Sequence, residues 1–185
     1  MKIAVLGAGG WGTTLAILLN ENGFDVTLWE FNPEYAKTLK EYRENFYYLP
    51  KIKIPPSISI TNDLESAAYK KNLIVIATPT QFIRNSLSEL SNFDFKDSIL
   101  VSVSKGIENK THFLVSDILS DVFKKVKKKN LLALSGPSHA EEVSRKIPTA
   151  VVCAGEDSSK TKIVQKVFSN NYFRVYRNDD LTGTE

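Results

Sequence analysis

Three glycines near the amino terminus form the feature of the sequence with the clearest chemical use. Gly7, Gly9 and Gly12 lie in the string GAGGWG, directly after an apolar run and at the start of a helical pattern. In such a turn Gly7 permits a tight bend, Gly9 lets a ligand approach the backbone, and Gly12 lets the helix pack closely on the strand. Free N–H groups at the helix start attract an anion, assisted by the helix dipole. The string predicts a dinucleotide pyrophosphate site, with a structural turn as the alternative.

An acidic residue lies where the second apolar run ends. Glu30 follows Gly12 by 18 residues, which is a suitable place for a carboxylate that accepts hydrogen bonds from ribose hydroxyls. A carboxylate there would repel a 2′-phosphate, and no arginine follows it in Phe31-Asn32-Pro33. The sequence therefore favours NAD over NADP as the cofactor, while an acidic residue that merely ends a strand is the alternative.

A lysine and a glycine follow another apolar run. Lys105 and Gly106 come directly after the run Ile99 to Ser104, at the carboxyl end of a predicted strand, where open α/β sheets bind their ligands. An ammonium group there can neutralise a substrate oxyanion or phosphate, or polarise a carbonyl. The alternative is an exposed lysine that begins a loop.

A second polar string, SGPSHAEE, runs from residue 135 to residue 142. Its tight turn feeds a helix, and the first N–H groups of that helix are suited to an anionic substrate. Ser138 with Glu141 and Glu142 also fits a helix N-cap followed by acidic residues of the first turn. Both roles are compatible with the sequence.

Strand-like apolar runs alternate with segments of helical periodicity, which predicts parallel strands joined by helical crossovers. Most runs are continuous in Val, Ile, Leu and Ala, as expected for a sheet covered on both faces. The sequence predicts a Rossmann-like, doubly wound α/β fold with a mostly parallel sheet and helices on both faces. The predicted strands are residues 2–6, 25–30, 73–78, 99–104, 131–135, 150–154 and 172–176. The predicted helices are residues 11–22, 33–45, 81–90, 111–125, 140–146 and 158–169.

No linker, repeat or low-complexity tract interrupts the chain, so residues 1–185 are predicted to form one domain. The segment Phe46 to Thr61, with three prolines, is predicted to be a connection without regular structure. Residues 178–185 resemble the approach to a helix rather than the end of a protein. We therefore expect the natural chain to continue beyond Glu185.

Composition and charge exclude several classes of protein. With 42% hydrophobic and 24% charged residues the chain is an ordinary globular domain, and no apolar run approaches the roughly 20 residues of a membrane span. The start has no secretory pattern, which predicts a cytoplasmic location. The lone Cys153 is predicted to be buried in a strand. The net charge of +3 and the basic run Lys124 to Lys129 indicate a solvated helix end rather than a nucleic-acid site, and no metal site is predicted.

Five strings, in order along the chain, resemble the bacterial NAD(P)-dependent glycerol-3-phosphate dehydrogenases. The strings are GAGGWGTTLA, YLP at residues 48–50, SKGIE, SGPSHAEE and FRVYRNDDLTGTE. The resemblance implies reversible hydride transfer between NAD(P)H and dihydroxyacetone phosphate, giving sn-glycerol 3-phosphate for phospholipid synthesis. It also implies that a small-molecule substrate is the main partner, with a homodimer as an option for the full-length protein.

The same resemblance assigns roles to individual residues. Lys105 is implied to touch both cofactor and substrate and to act as an electrostatic stabiliser, and Gly136 and Ser138 are implied to contact the substrate. The implied cofactor contacts are Gly10, Trp11, Phe31, Asn32, Tyr48 and Ala140.

The chain departs from the family pattern at two places. Where the family often has a basic residue after the second strand, this chain has Glu30-Phe31-Asn32, which leaves the choice between NAD and NADP open. The general-base lysine of the family lies in a GGALKN-like segment that would begin beyond Glu185, before a helical substrate domain. We therefore expect residues 1–185 to bind nucleotide with little or no turnover.

Two alternatives stay open at this point. One is a related dehydrogenase that acts on 3-hydroxyacids or nucleotide sugars, which the SKG and SGPS strings disfavour. The other is a complete nucleotide-sensing module that reports NAD(H) to a partner. The coding sequence after residue 185 distinguishes the enzyme from the module.

Overall fold

The computed structural model describes residues 1–185 and places ten strands and eight α-helices along the chain. The strands are β1 (Lys2–Leu6), β2 (Asp25–Trp29), β3 (Glu44–Asn45), β4 (Leu49–Lys53), β5 (Ser59–Thr61), β6 (Leu73–Ile76), β7 (Ile99–Ser102), β8 (Leu131–Ser135), β9 (Thr149–Ala154) and β10 (Phe173–Asn178). The helices are α1 (Gly10–Glu21), α2 (Pro33–Tyr42), α3 (Leu64–Ala68), α4 (Thr80–Leu87), α5 (Val115–Val122), α6 (Ala140–Ser144), α7 (Ser158–Phe168) and α8 (Leu181–Thr184).

Eight of the strands form one sheet with the order β10-β9-β8-β7-β6-β1-β2-β5. Neighbouring strands are parallel except for β8 and β9, which run antiparallel. In the register of the sheet, Leu6 of β1 faces Trp29 of β2 on one side and Ile76 of β6 on the other. The carboxyl ends of these three strands therefore meet at one edge, where the strand order reverses and where such folds bind ligands.

Helices cover both faces of the sheet and bury two apolar clusters. One cluster contains 30 buried residues and includes Leu15 of α1 and Val164 of α7. The other contains 19 and includes Ile83 of α4 and Ile118 of α5. The central strands β6 and β7 are buried at every position, because each has helices on both sides. The predicted doubly wound, mostly parallel α/β fold is confirmed.

The prediction that residues 46–61 lack regular structure was wrong. This segment contains β4, which pairs with β3 in a separate two-stranded hairpin, and β5, which adds to the sheet beside β2. Most β4 side chains are exposed, so this strand has no apolar run to predict it. Pro50 is tolerated because a two-stranded hairpin leaves one side of each strand unpaired.

Helices α2 and α5 are shorter than predicted, and the short helix α3 was not predicted. Helix α2 ends at Tyr42 because Arg43 adopts a left-handed conformation with a φ of 51°, so Asn45 lies in β3 instead. Helix α5 begins only at Val115, since His112 adopts a left-handed conformation with a φ of 59°. The missed helix is α3, whose first turn is capped by Asp63.

Cys153 and the lysine-rich segment lie in opposite environments, one buried and one exposed. Cys153 lies in β9 with no exposed surface, and burial raises the pKa of its thiol to about 12. This agrees with the predicted buried strand position and makes the thiol unreactive. Lysines 124 to 129 are exposed beyond the end of α5. None of the helices has the length and apolar character needed to cross a bilayer.

Candidate functional site

The glycine turn connects β1 to α1, and two of its glycines are fixed by close backbone packing. Gly7 has a φ of 119°, and a Cβ placed on it would lie 2.7 Å from the carbonyl oxygen of Ala77. A Cβ on Gly12 would lie 1.9 Å from the carbonyl oxygen of Gly7. Neither position accepts a side chain, because backbone atoms cannot move away. The steric roles predicted for Gly7 and Gly12 are therefore present in the structure.

Gly9 differs from these two glycines because it faces open space. Any residue can adopt its φ of −69° and ψ of −178°, and a Cβ placed there would meet no atom within 4 Å. The folded chain itself therefore does not require glycine at this position. The N–H groups of Gly9, Gly10, Trp11 and Gly12 make no hydrogen bond within the chain, and the first turn of α1 has no acidic residue. Free donors at a helix start, beside a backbone without side chains, suit a phosphate group.

The β3–β4 hairpin contacts this turn through Tyr48. A Cβ placed on Gly10 would lie 2.6 Å from the carbonyl oxygen of Tyr48 and 3.5 Å from the Cβ of Ala140. The ring of Trp11 instead packs on Phe173, with ring centroids 6.3 Å apart. The structure therefore brings Tyr48 and Ala140 to the glycine turn, while the Trp11 side chain contributes to the core.

Glu30, Phe31 and Asn32 follow β2 at the same edge of the sheet. One carboxylate oxygen of Glu30 accepts a hydrogen bond of 2.9 Å from the N–H of Asn32, which leaves the other oxygen free. Partial burial raises the pKa of Glu30, and the Asn32 N–H opposes that shift. The Asn32 side chain caps α2 by accepting from the N–H of Tyr35 at 3.0 Å. Phe31 is 69% exposed, so its ring is free to contact a flat ligand.

A second cluster joins Lys105, which follows β7, to Gly136 and Ser138, which follow β8. The Lys105 ammonium donates to the carbonyl oxygen of Gly136 at 2.9 Å, and the Ser138 hydroxyl donates to the same oxygen at 3.4 Å. The carbonyl of Lys105 accepts from the hydroxyl of Thr80 at 2.8 Å. The three residues that the resemblance assigned to the substrate therefore lie close together, and the Lys105 ammonium among them is exposed.

The prediction that Ser138 is the N-cap of the next helix was wrong. Helix α6 begins at Ala140, so its N-cap position falls on His139, whose side chain makes no capping bond. The Ser138 hydroxyl is instead engaged with Gly136 inside the preceding turn. Glu141 and Glu142 do lie in the first turn of α6, as predicted.

Sequence reasoning missed the side chains that hold the Lys105 loop. Arg84 of α4 binds Glu108 through two hydrogen bonds of 3.0 Å and also contacts Asp121. Gln81 donates to the carbonyl of Ile107 at 2.7 Å. Arg84 and the Thr111 hydroxyl hold the pKa of Glu108 below its usual range. The partners of Arg84 and Gln81 lie 24 or more residues away in the chain, so no local pattern in the sequence indicates them.

Comparison with known proteins identifies the family. The family described as "NAD-dependent glycerol-3-phosphate dehydrogenase N-terminus" matches residues 2–161. The chain belongs to this family. Glycerol-3-phosphate dehydrogenases [NAD(P)+] of Geobacter sp. strain M21 and Pelodictyon phaeoclathratiforme are 42% and 45% identical to it over 184 and 185 residues. Each alignment covers 100% of this chain and 55% or 56% of the relative, so the chain spans about half the length of these relatives.

Solved structures of glycerol-3-phosphate dehydrogenases agree with this assignment. The enzyme of Coxiella burnetii has a TM-score of 0.90 at 28% identity, covering 98% of this chain and 55% of that one. The enzyme of Saccharomyces cerevisiae has a TM-score of 0.86 at 26% identity, covering 99% and 57%. A UDP-D-ManNAc dehydrogenase of Pyrococcus horikoshii, at 14% identity and a TM-score of 0.75, shares the fold alone. The chain therefore matches the amino-terminal part of glycerol-3-phosphate dehydrogenases, a family whose cofactor is NAD or NADP.

Proposed function

We propose that residues 1–185 hold the dinucleotide of a glycerol-3-phosphate dehydrogenase, with its pyrophosphate on the glycine turn. The observation that carries this proposal is the open backbone at Gly9, where a Cβ would meet no atom within 4 Å, next to N–H groups of the first turn of α1 that have no acceptor in the chain. When bound, the nicotinamide supplies the hydride that is exchanged with dihydroxyacetone phosphate. The chain itself binds, orients and electrostatically stabilises the reacting groups.

We propose further that NAD is preferred to NADP. Glu30 is partly buried at the end of β2, and its free carboxylate oxygen is suited to accept from ribose hydroxyls. A 2′-phosphate at that place would meet the like charge of this partly buried carboxylate. Phe31, exposed beside Glu30, is proposed to contact the adenine ring.

Glu30→Ala is expected to weaken NADH binding about tenfold and to narrow the difference between NADH and NADPH. A hydrogen bond to a charged group is worth about 1.5–3 kcal/mol, and about 1.4 kcal/mol is tenfold in Kd. Calorimetric titration with both nucleotides measures the change. Glu34→Ala is the matched control, because Glu34 is an exposed carboxylate in the first turn of α2. An unchanged NADH-to-NADPH ratio in Glu30→Ala would contradict the preference.

We propose that Lys105 neutralises charge that develops on the substrate oxygen. Its ammonium group is exposed and held at 2.9 Å from the Gly136 carbonyl, so it needs little rearrangement to contact an anionic ligand. Gly136 and Ser138 are proposed to line the substrate side of this position. The family resemblance implies that the proton-transferring lysine lies in a segment outside residues 1–185, before a helical substrate domain.

The purified 185-residue chain is therefore expected to bind NADH but to reduce dihydroxyacetone phosphate slowly or not at all. General acid–base catalysis contributes roughly 10²–10⁴-fold to a rate, and the substrate needs groups that orient it. Loss of NADH absorbance in the presence of dihydroxyacetone phosphate is the measurement. Turnover that survives Lys105→Ala would refute the role assigned to Lys105.

The proposed surroundings of the domain follow from composition. A cytoplasmic location is supported by the single, fully buried free cysteine, which suits a reducing compartment. Small molecules rather than nucleic acids are the proposed ligands, since the net charge is only +3. A homodimer of the full-length protein stays a prediction from the resemblance.

A further inference from the structure

Asn45 is a fully buried polar residue that contacts the glycine turn from a distant part of the sequence. It has no exposed surface, and its side chain makes four hydrogen bonds. Its Nδ2 donates to the carbonyl oxygen of Ala8 and to the hydroxyl oxygen of Thr13, both at 2.8 Å. Its Oδ1 accepts from the Tyr35 hydroxyl at 2.6 Å and from the Tyr48 N–H at 3.1 Å. The amide thus uses its two donors and both lone pairs of its oxygen.

The bond to Ala8 has a consequence for the next N–H group. In a planar trans peptide the carbonyl and the following N–H point in opposite directions. Asn45 binds the Ala8 carbonyl on the buried side, so the N–H of Gly9 is directed to the other side. The Gly9 N–H has no acceptor in the chain, and a Cβ placed on Gly9 would meet no atom within 4 Å.

Asn45 also fixes the wall of the turn formed by the β3–β4 hairpin. It holds the N–H of Tyr48, whose own carbonyl oxygen comes close to Gly10. The ring of Tyr35 packs against the rings of Tyr47 and Tyr48, with centroids 5.2 and 6.1 Å apart. One side chain therefore joins the glycine turn, α1, α2 and the hairpin.

We propose that Asn45 is a positioning residue that pre-organises the glycine turn for the pyrophosphate. The inference rests on the proposed function, and it assigns Asn45 no contact with the ligand. Without the Asn45 amide, the Ala8 carbonyl keeps only the long bond of 3.4 Å from the Thr13 hydroxyl, so the peptide between Ala8 and Gly9 is held less firmly. Ordering this peptide on binding then reduces affinity.

Asn45→Ala is expected to weaken NADH binding about tenfold in calorimetric titration. Asn130→Ala is the matched control, because Asn130 is also a buried asparagine, 2% exposed, that donates to the backbone at Lys96 and Phe95, away from the turn. Both substitutions should lower the melting temperature, and only Asn45→Ala should change affinity. Equal affinity loss in the two variants, or none in a folded Asn45→Ala, would overturn the proposal.

A second measurement needs no ligand and separates this inference from the proposed function. In amide NMR spectra of the free protein, the Gly9 and Gly10 signals should shift or broaden in Asn45→Ala and stay unchanged in Asn130→Ala. Unchanged signals in Asn45→Ala overturn the positioning role, whereas a wild-type chain that binds neither NADH nor NADPH overturns the proposed function.

Tyr35→Phe covers the case in which Asn45→Ala does not fold. It removes the half-buried hydroxyl that donates to the Asn45 oxygen at 2.6 Å and accepts a long bond of 3.4 Å from the Tyr47 N–H. We expect the Gly9 signal to shift and NADH affinity to fall about two- to fivefold, because Asn45 loses one of its four restraints. A Gly9 signal and an affinity that both equal those of the wild type would overturn the proposal.

Discussion

Gly12→Ala is expected to destabilise the chain by about 3 kcal/mol or more, which is a lowering of Tm by roughly 6–12 °C for a domain of this size. The added Cβ would lie 1.9 Å from the carbonyl oxygen of Gly7 and 3.1 Å from the Cβ of Ala77. Because the first clash is with backbone inside the β1–α1 turn, it is relieved only by moving α1 away from the sheet. That movement disturbs the core, since most of α1 is buried.

Urea denaturation measures this loss, with the midpoint as the readout and the slope as a check that the folded state stays compact. Gly9→Ala provides the control, because the same methyl group is added three residues earlier in space that is empty. If Gly12→Ala unfolds at the wild-type urea concentration, the close approach of helix and strand at this turn is not a requirement of the fold.

The sequence predicted the sheet more reliably than the connections, because a strand that is buried on both faces appears in the sequence as a continuous apolar run. The strands β6, β7 and β8 read as continuous apolar runs, and each was predicted within two residues at its end. The strand β5 has three residues, and its pairing with β2 is a contact between distant segments. The residues of β5 alone therefore contain no pattern that predicts this strand.

In the candidate site, too, some residues could be predicted from local patterns and others could not. The glycine turn, Glu30 and Lys105 stand directly after apolar runs, so their location at one edge of a parallel sheet follows from the pattern. Asn45 was predicted to end a helix, because nothing local shows that Arg43 adopts a left-handed conformation. Its four hydrogen bonds reach residues 3 to 37 positions away, and such polar networks are set by the fold as a whole.

Gly9→Ala is expected to weaken NADH binding about 100-fold, or about 2.7 kcal/mol, while changing stability by less than about 0.5 kcal/mol. Alanine adopts the φ and ψ of Gly9 without strain, and its methyl group would touch no atom of the folded chain. The methyl group would instead extend into the open space at this turn, where the pyrophosphate is proposed to lie.

Calorimetric titration gives the affinity, and urea denaturation of the same sample gives the stability. The pair of measurements distinguishes two uses of glycine in one turn, because Gly12 is required by the neighbouring backbone and Gly9 by a ligand. A Gly9→Ala variant that is stable and binds NADH as the wild type does would show that the dinucleotide does not approach this backbone.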